Sequence, residues 1–443
     1  MANRAGINKV AFAGLFATLL LVSVPSRAFA QGQTWLGQTL EQSIASAWGR
    51  AGALRYNAAL QVDSAGYDSD IYYGMLAGRV PDYTFSAGPE FRVFLPIKKR
   101  VVFDIAESPR YVFFVKTERE RALNNAFAGN LHLVFDRVYI QAGAGLDNAK
   151  QRLSPELNLN VRLKTGDYSG LILWQASKEA SFALQYQRTK YAYENLSSET
   201  TDISANLDRT ESFARFLAYL QQRSRVRFYL GGEYGLYRFT DSLSSYRNSR
   251  SYGAYAGAAF VPPEGGYEGE TSGMRGGFTL GYKRLDVIDP SLKDYSGLSG
   301  NVAVSLGIMR MTALRLFFSR GPQFSVYSDQ VYYLQTAYGA GLSRSLSRHV
   351  VFTYDFSYSR GDYPAVGADG TGPTVTSNFK YWTHALRLSF RLRRDLQFSL
   401  LADLGRRNQP SALQPVSNRA FIGFGLTYGY SGGLFSLPTG PLI

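Results

Sequence analysis

Residues 352–359 read Phe352-Thr353-Tyr354-Asp355-Phe356-Ser357-Tyr358-Ser359, an unbroken alternation of aromatic and polar side chains. A period of two sends successive side chains to opposite faces of a strand, so this segment has one apolar and one polar face. The pattern continues outward along the chain. Leu386, Leu388, Phe390 and Leu392 oppose Arg387, Ser389, Arg391 and Arg393. Ile422, Phe424, Leu426, Tyr428 and Tyr430 oppose Gly423, Gly425, Thr427 and Gly429. Earlier, Leu54, Tyr56, Ala58, Leu60 and Val62 alternate with Arg55, Asn57, Ala59 and Gln61. Leu157, Leu159, Val161 and Leu163 stand against Asn158, Asn160, Arg162 and Lys164.

Alternation alone also fits a soluble sandwich or propeller. Three features favour a membrane barrel. The segments run about ten residues, enough for a tilted strand to cross a bilayer. Aromatics crowd their ends, as at Tyr72-Tyr73, Tyr332-Tyr333 and Tyr381-Trp382, where interfacial girdles belong. So many sheet edges also need closure, because only closure removes them. The fold class expected is all-β: a transmembrane, antiparallel, up-and-down β-barrel of the bacterial outer-membrane type. At roughly 20 residues per strand with its connection, the span 54–430 accommodates about 18 strands, within a range of 16–20. A barrel of that size encloses water instead of being filled by its own side chains. Asn195–Thr210, Pro262–Gly273 and Pro364–Asn378 read as long loops, being rich in Gly, Pro, Ser, Thr and acids.

Composition agrees. Of 443 residues 19% are charged, below the quarter typical of soluble domains, and 14% are aromatic. A mean hydropathy of −0.17 excludes a polytopic helical membrane protein, whose apolar spans of about 20 residues should recur. There is no cysteine, hence no disulfide and no thiolate metal site.

Residues 1–30 read as a secretory signal. Arg4 and Lys9 are followed by the apolar run Val10–Val22 and by Ala28-Phe29-Ala30, a cleavage pattern before Gln31. Residues 31–53 form an N-terminal segment in which Leu36, Leu40, Ile44 and Trp48 recur every fourth position, compatible with a short helix. The barrel occupies 54–430 and a tail follows at 431–443. Tyr430 then stands where such barrels commonly place a terminal aromatic.

Gly66-Tyr67-Asp68-Ser69-Asp70 follows the first strand. Later come Gly281-Tyr282-Lys283, the segment Asp289-Pro290-Ser291-Leu292-Lys293-Asp294-Tyr295-Ser296-Gly297-Leu298-Ser299-Gly300, and Tyr358-Ser359-Arg360-Gly361-Asp362-Tyr363-Pro364. The order of these motifs resembles the β-barrel porin family of outer-membrane proteins often encoded beside exopolysaccharide-synthesis genes. In that family the early motif usually ends in Asn where this chain has Asp70. The resemblance covers residues 274–364 best and extends over the mature barrel. It implies an outer-membrane location and export of a secreted polysaccharide, and it carries no catalytic residues.

The chain holds 48 basic against 34 acidic residues, and arginine dominates the bases. Strand register puts Arg55, Arg162, Lys164, Arg225, Arg227, Arg275, Lys283, Arg315, Arg387, Arg391 and Arg393 on the lumen face. A cationic wall attracts anionic solutes or an acidic glycan. Alternatively, these arginines pair with luminal carboxylates, or touch lipopolysaccharide phosphates near the outer rim. His132, His349 and His384 are far apart in sequence and give no constellation for a nucleophile or zinc. The glycine clusters Gly231-Gly232-Glu233-Tyr234-Gly235 and Gly265-Gly266 lack the context of a nucleotide site. No enzyme activity, cofactor, metal or nucleic-acid partner is expected. The expected partners are outer-membrane lipid and lipopolysaccharide, an exopolysaccharide and periplasmic export proteins. The readings that follow are a passive conduit for an exopolysaccharide, a general porin for small anionic solutes, or a structural or adhesion barrel that binds through its loops.

Overall fold

The computed structural model describes residues 34–72, 78–98, 100–152, 156, 160–194, 202–223, 226–260, 273–290, 292–309, 311–327, 330–364, 378–408 and 416–429. The signal segment 1–30, Tyr430, the tail 431–443 and most of the loops read at 262–273 and 364–378 lie outside the described residues.

Helix α1 (Trp35–Ala45) comes first, with Thr34 as its N-cap: the Thr34 hydroxyl accepts a hydrogen bond from the Gly37 N–H at 3.4 Å. The helix ends before Trp48, the last position of the four-residue stripe. Strand β1 (Gly49–Ala51) folds back against the start of β2 (Leu54–Asp68). The wall continues through β3 (Asp82–Ile97), β4 (Val101–Phe114), β5 (Ala122–Val134), β6 (Val138–Arg152) and β7 (Asn160–Gln175). Next come β8 (Ala180–Tyr193), β9 (Arg209–Arg223), β10 (Val226–Phe239), β11 (Ser249–Phe260) and β12 (Gly273–Val287). The last are β13 (Tyr295–Met309), β14 (Thr312–Phe324), β15 (Tyr332–Ser345), β16 (Val350–Asp362), β17 (Phe379–Arg391), β18 (Leu396–Asn408) and β19 (Val416–Gly429).

Each strand from β2 to β19 pairs antiparallel with its neighbours, and β19 pairs with β2, with Ile422 opposite Tyr67. These strands form a closed barrel of 18 with no free sheet edge, so the wall's backbone groups pair mostly with one another. The strands hold 12–16 residues, more than the ten read from sequence. At about 3.4 Å per residue and a tilt of about 40°, they span roughly 30–40 Å along the membrane normal, enough to cross its hydrocarbon core.

The seam between β2 and β19 is crowded. A Cβ on Gly66 would stand 2.1 Å from the Ile422 carbonyl oxygen, and one on Gly423 2.5 Å from that of Ala65. Glycine at both positions lets the two backbones meet, while Ser64, at φ 52°, and a register shift take up the curvature. Arg419 on β19 closes the seam with an ion pair to Asp68 on β2, its Nε donating to both carboxylate oxygens at 2.8 Å.

The connections alternate in kind. At the near end, which carries α1, tight turns such as Ala176–Glu179, Leu346–His349 and Leu392–Asp395 join strands. At the far end, the connection between β8 and β9 contains helix α2 (Ile203–Leu207), started by Asp202, whose carboxylate accepts from the Ala205 N–H at 3.0 Å. The stretch read as one long loop, 195–210, thus holds a helix and the first two residues of β9.

Candidate channel lumen

Alternation assigns the two faces. Leu60, Ile172, Leu280, Leu298 and Ile422 are exposed on the outer surface, where lipid replaces water. The same strands turn Asp63, Leu173, Lys283 and Asn301 inward. In the opening segment, Phe352, Tyr354, Phe356 and Tyr358 of β16 pair with Leu388, Leu386, His384 and Trp382 of β17 outside. Thr353, Asp355 and Ser357 face the lumen, where the Ser357 and Thr383 hydroxyls lie 2.5 Å apart.

Helix α1 fills part of this interior at the near end. Leu36 and Leu40 are buried, Leu40 to 1% exposure, against Phe94, Val102, Val134, Leu171, Leu173, Leu217 and Tyr229. Those partners come from β3, β4, β5, β7, β9 and β10. Trp35 meets Tyr219 edge-on at 6.1 Å between ring centroids, and Arg227 lies 4.4 Å over the Trp35 ring. Among the described residues nothing covers the inward faces of β13 and β14 in this way: Asn301, Ala303, Arg315 and Phe317 are exposed. Among the described residues, the near end of the lumen is therefore lined by helix on one side and open on the other.

Many luminal charges occur in opposite-sign groups. Arg92 holds Asp104 in a fork, with bonds of 2.9 and 2.8 Å. Arg110 bridges Asp63 at 2.6 Å and Glu90 at 3.1 Å. Glu233 sits between Arg215 at 2.5 Å and Lys283 at 3.1 Å. Arg209 pairs with Glu211 at 2.7 Å, and Arg315 with Asp355 at 2.8 Å. The last pair is the most open, each side chain 46% exposed. A cross-strand row, Arg275, Ser305, Arg315, Gly341 and Asp355, spans five strands and carries polar side chains on four of them.

Of the eleven cations assigned to the lumen from sequence, Arg55, Arg227, Arg275, Lys283, Arg315, Arg387 and Arg391 occupy inward positions. Arg162 and Lys164 do not. They share the outward face of β7 with Tyr168, Ile172 and Trp174, while Val161 turns inward, 1% exposed, to pack under α2. The far-end loops bury apolar side chains inside the barrel there, so the apolar face is the inner one. Arg393 lies in the turn between β17 and β18, and Arg225 lies outside the described residues.

Each histidine has a structural partner. His132 is fully buried beside the Arg92–Asp104 fork, with Nδ1 2.7 Å from the Tyr139 hydroxyl. His384 faces outward, 2.8 Å from the Tyr354 hydroxyl. His349 Nδ1 lies 3.2 Å from the Arg391 carbonyl oxygen in a near-end turn. No group of three or more His, Asp or Glu side chains among the described residues has the arrangement of a metal site.

The far end holds a knot that the sequence reading missed. Glu156, fully buried in the β6–β7 connection, accepts hydrogen bonds from the Ser325 hydroxyl at 2.8 Å and the Val326 N–H at 2.9 Å, and another from the Tyr363 hydroxyl. Burial pushes its carboxyl up to about 7. Nearby, fully buried Arg247 donates to the Gln330 and Val331 carbonyls at 3.0 and 3.1 Å and to those of Asn206 and Ser325. Ile203 and Leu207 of α2 pack on Val161 and Val326. One buried carboxylate and one buried guanidinium thus join five far-end connections over the mouth: β6–β7, β8–β9, β10–β11, β14–β15 and β16–β17. A lone Glu in a polar loop carries no periodic signal that would reveal this.

The family whose sequence model matches residues 176–408 is described as "Putative beta-barrel porin 2". No curated protein matches. Among solved structures, the chain is similar to the outer membrane protein opdK from Pseudomonas aeruginosa, with 12% identity and TM-score 0.46 over 86% of this chain and 100% of that one. A BenF-like porin from Pseudomonas fluorescens Pf-5 gives 11% and 0.46 over 86% and 100%. The siderophore receptor PirA from Pseudomonas aeruginosa gives 11% and 0.42 over 86% and 81%.

Proposed function

The chain belongs to the beta-barrel porin 2 family, and from that premise we propose that it is a non-enzymatic outer-membrane channel serving as the passive conduit for a secreted exopolysaccharide. Residues 1–30 act as its cleaved export signal, and the end carrying α1 faces the periplasm, where export proteins deliver the polymer.

The observation that carries this reading is the pairing of the luminal charges. An anion filter needs unbalanced positive charge. Here Arg110, Arg215, Arg315 and Arg419 each sit on a carboxylate, which offsets part of the positive field and leaves a wall dense in donors and acceptors. Such a wall exchanges hydrogen bonds with hydroxyl-rich chains without trapping them as counter-ions. The exposed ring of Phe317 on the uncovered side adds an apolar surface for the face of a sugar ring. The inward arginines act as hydrogen-bond donors to the glycan. A general porin for small anions is the weaker reading for the same reason. A loop-binding structural barrel is weaker because, among the described residues, the side formed by β13 and β14 stays open past α1.

Two measurements together test this. Deleting the gene should abolish surface polysaccharide while leaving uptake of small anionic solutes unchanged. Refolded protein in a planar bilayer should conduct with little preference between potassium and chloride. A strong chloride preference, or a growth defect on small anions with normal polysaccharide, would reject the conduit in favour of the porin.

A further inference from the structure

Beyond the aromatic girdle, the outer surface at the far end carries a row of cations, bordered on β12 by the Arg284–Asp286 ion pair. Lys164 on β7, Arg188 and Lys190 on β8, Arg238 on β10 and Arg250 on β11 all point outward and are exposed. Across the sheet Lys190 and Arg238 flank the same residue, Thr210 of β9. None of the five makes an ion pair among the described residues. Two to four residues nearer the middle of the wall stand Tyr168, Tyr186, Tyr234 and Tyr252, also outward and exposed, with the Tyr234 and Tyr252 rings 5.3 Å apart. At about 3.4 Å per residue the positive row lies roughly 7–14 Å beyond the tyrosines.

A second patch lies on β17 and β18. Arg406 sits 5.3 Å over the Trp382 ring, and exposed Lys380 is two residues farther out. Beside them a groove of about 330 Å³ is lined by Trp382, His384 and Leu404 below and by Arg406 and the loop residue Arg79 above.

We propose that this outward surface binds a phosphate-bearing glycolipid of the outer leaflet, phosphates on the cations and acyl chains along Trp382 and Leu404. Two independent features carry the assignment. The order along the wall, apolar band, tyrosine, then unpaired cation, repeats the order acyl chain, interface, phosphate along an amphiphile. Like charges clustered without partners repel one another, and a multivalent anion removes that cost. The wall from β2 to β4 has a different character at the same level: Tyr67, Tyr83, Phe85 and Tyr111 take the outward positions, with the Tyr67 and Tyr83 rings 5.3 Å apart. The glycolipid therefore seats on β7–β11 and β17–β18 and not around the whole barrel. The assignment rests on the outer-membrane reading and is independent of what passes through the lumen.

The test measures glycolipid retained by the full, detergent-refolded chain after gel filtration, using purified lipopolysaccharide and the same material with its lipid phosphates removed by phosphatase. Wild-type protein should retain the phosphorylated form at least tenfold better, and 1 M salt should weaken retention. The quadruple variant Lys164→Gln, Lys190→Gln, Arg238→Gln, Arg250→Gln and the double variant Lys380→Gln, Arg406→Gln should each lower retention several-fold, with heat-modifiable migration showing intact barrels. Equal retention of the dephosphorylated glycolipid by wild type overturns the proposal whether or not the variants fold. So does undiminished retention by folded variants. Preferential retention of anionic phospholipid vesicles over lipopolysaccharide would overturn the glycolipid assignment as well.

Discussion

Arg227 on β10 lays its guanidinium 4.4 Å over the indole ring of Trp35 on α1. The first helix is thus fixed to the inner wall by a cation–π contact as well as by Leu36 and Leu40. Such a contact contributes about 0.5–2 kcal/mol, and loss of a buried leucine side chain costs about 2–5 kcal/mol.

These contacts predict how the lumen responds when α1 is loosened. Leu40→Glu places a charge against Leu173 and Leu217 and should release the helix while the 18 strands remain closed. Single-channel conductance should rise several-fold, with more frequent transitions between levels. Trp35→Ala should give a smaller rise. Unchanged conductance in both would mean that the helix lies outside the conducting path.

The far-end knot should respond to pH. Burial raises the Glu156 carboxyl to about 7, above its ordinary value near 4.5. The docked arrangement therefore favours the protonated form: its stability is full below pH 4.5 and is lost as pH rises toward 7. Hydrogen exchange in the segment 325–331 should be slower at pH 5 than at pH 8, after correction for the intrinsic rate. Glu156→Gln should remove the pH dependence while keeping the segment docked. A pH dependence that persists in this variant would place the titrating group elsewhere.

The Arg315–Asp355 pair lies open to the lumen, so its charges can be unbalanced with little effect on stability, about 1 kcal/mol or less. Arg315→Ala should shift reversal potentials toward cation preference and Asp355→Ala toward anion preference. Shifts of similar size and opposite sign are expected from a wall whose charge is balanced at this point.

At the seam, Gly66→Val would drive side-chain atoms into the Ile422 carbonyl, which stands 2.1 Å from even a Cβ there. Overpacking between paired backbones costs about 1–3 kcal/mol or more. The variant should show a reduced heat-modifiable fraction and greater protease sensitivity. Gly78→Val, where no atom lies within 4 Å of a Cβ, is the control that should assemble normally.

The strand pattern made most of the barrel legible. Phe352 to Ser359 alternates cleanly because lipid outside and water inside leave no compromise in side-chain choice. Legibility failed at Val161, Arg162 and Lys164, where docked loops bury the inner face and an apolar side chain points into the barrel. It failed also at Trp48, which continues the helical stripe in sequence although the chain has already left the helix to form β1. Glu156 and Arg247 could not be found from pattern, since their roles arise when connections far apart in the chain converge. The pairing of Arg110 with Asp63 and Glu90, from three successive strands, follows from register, which alternation leaves open by whole steps of two residues.

The ion pair between Arg419 and Asp68 spans 351 positions of sequence. Two charges that distant meet only when the final hairpin reaches the opening strand, so their union marks completion of assembly. Until then β2 and β19 are two unpaired edges, each able to accept a foreign strand. The narrow glycine seam admits the native partner closely, and the arginine fork rewards the correct alignment over one slipped by two residues. The residues that end the barrel therefore also proofread it, with chain order itself serving as the clock.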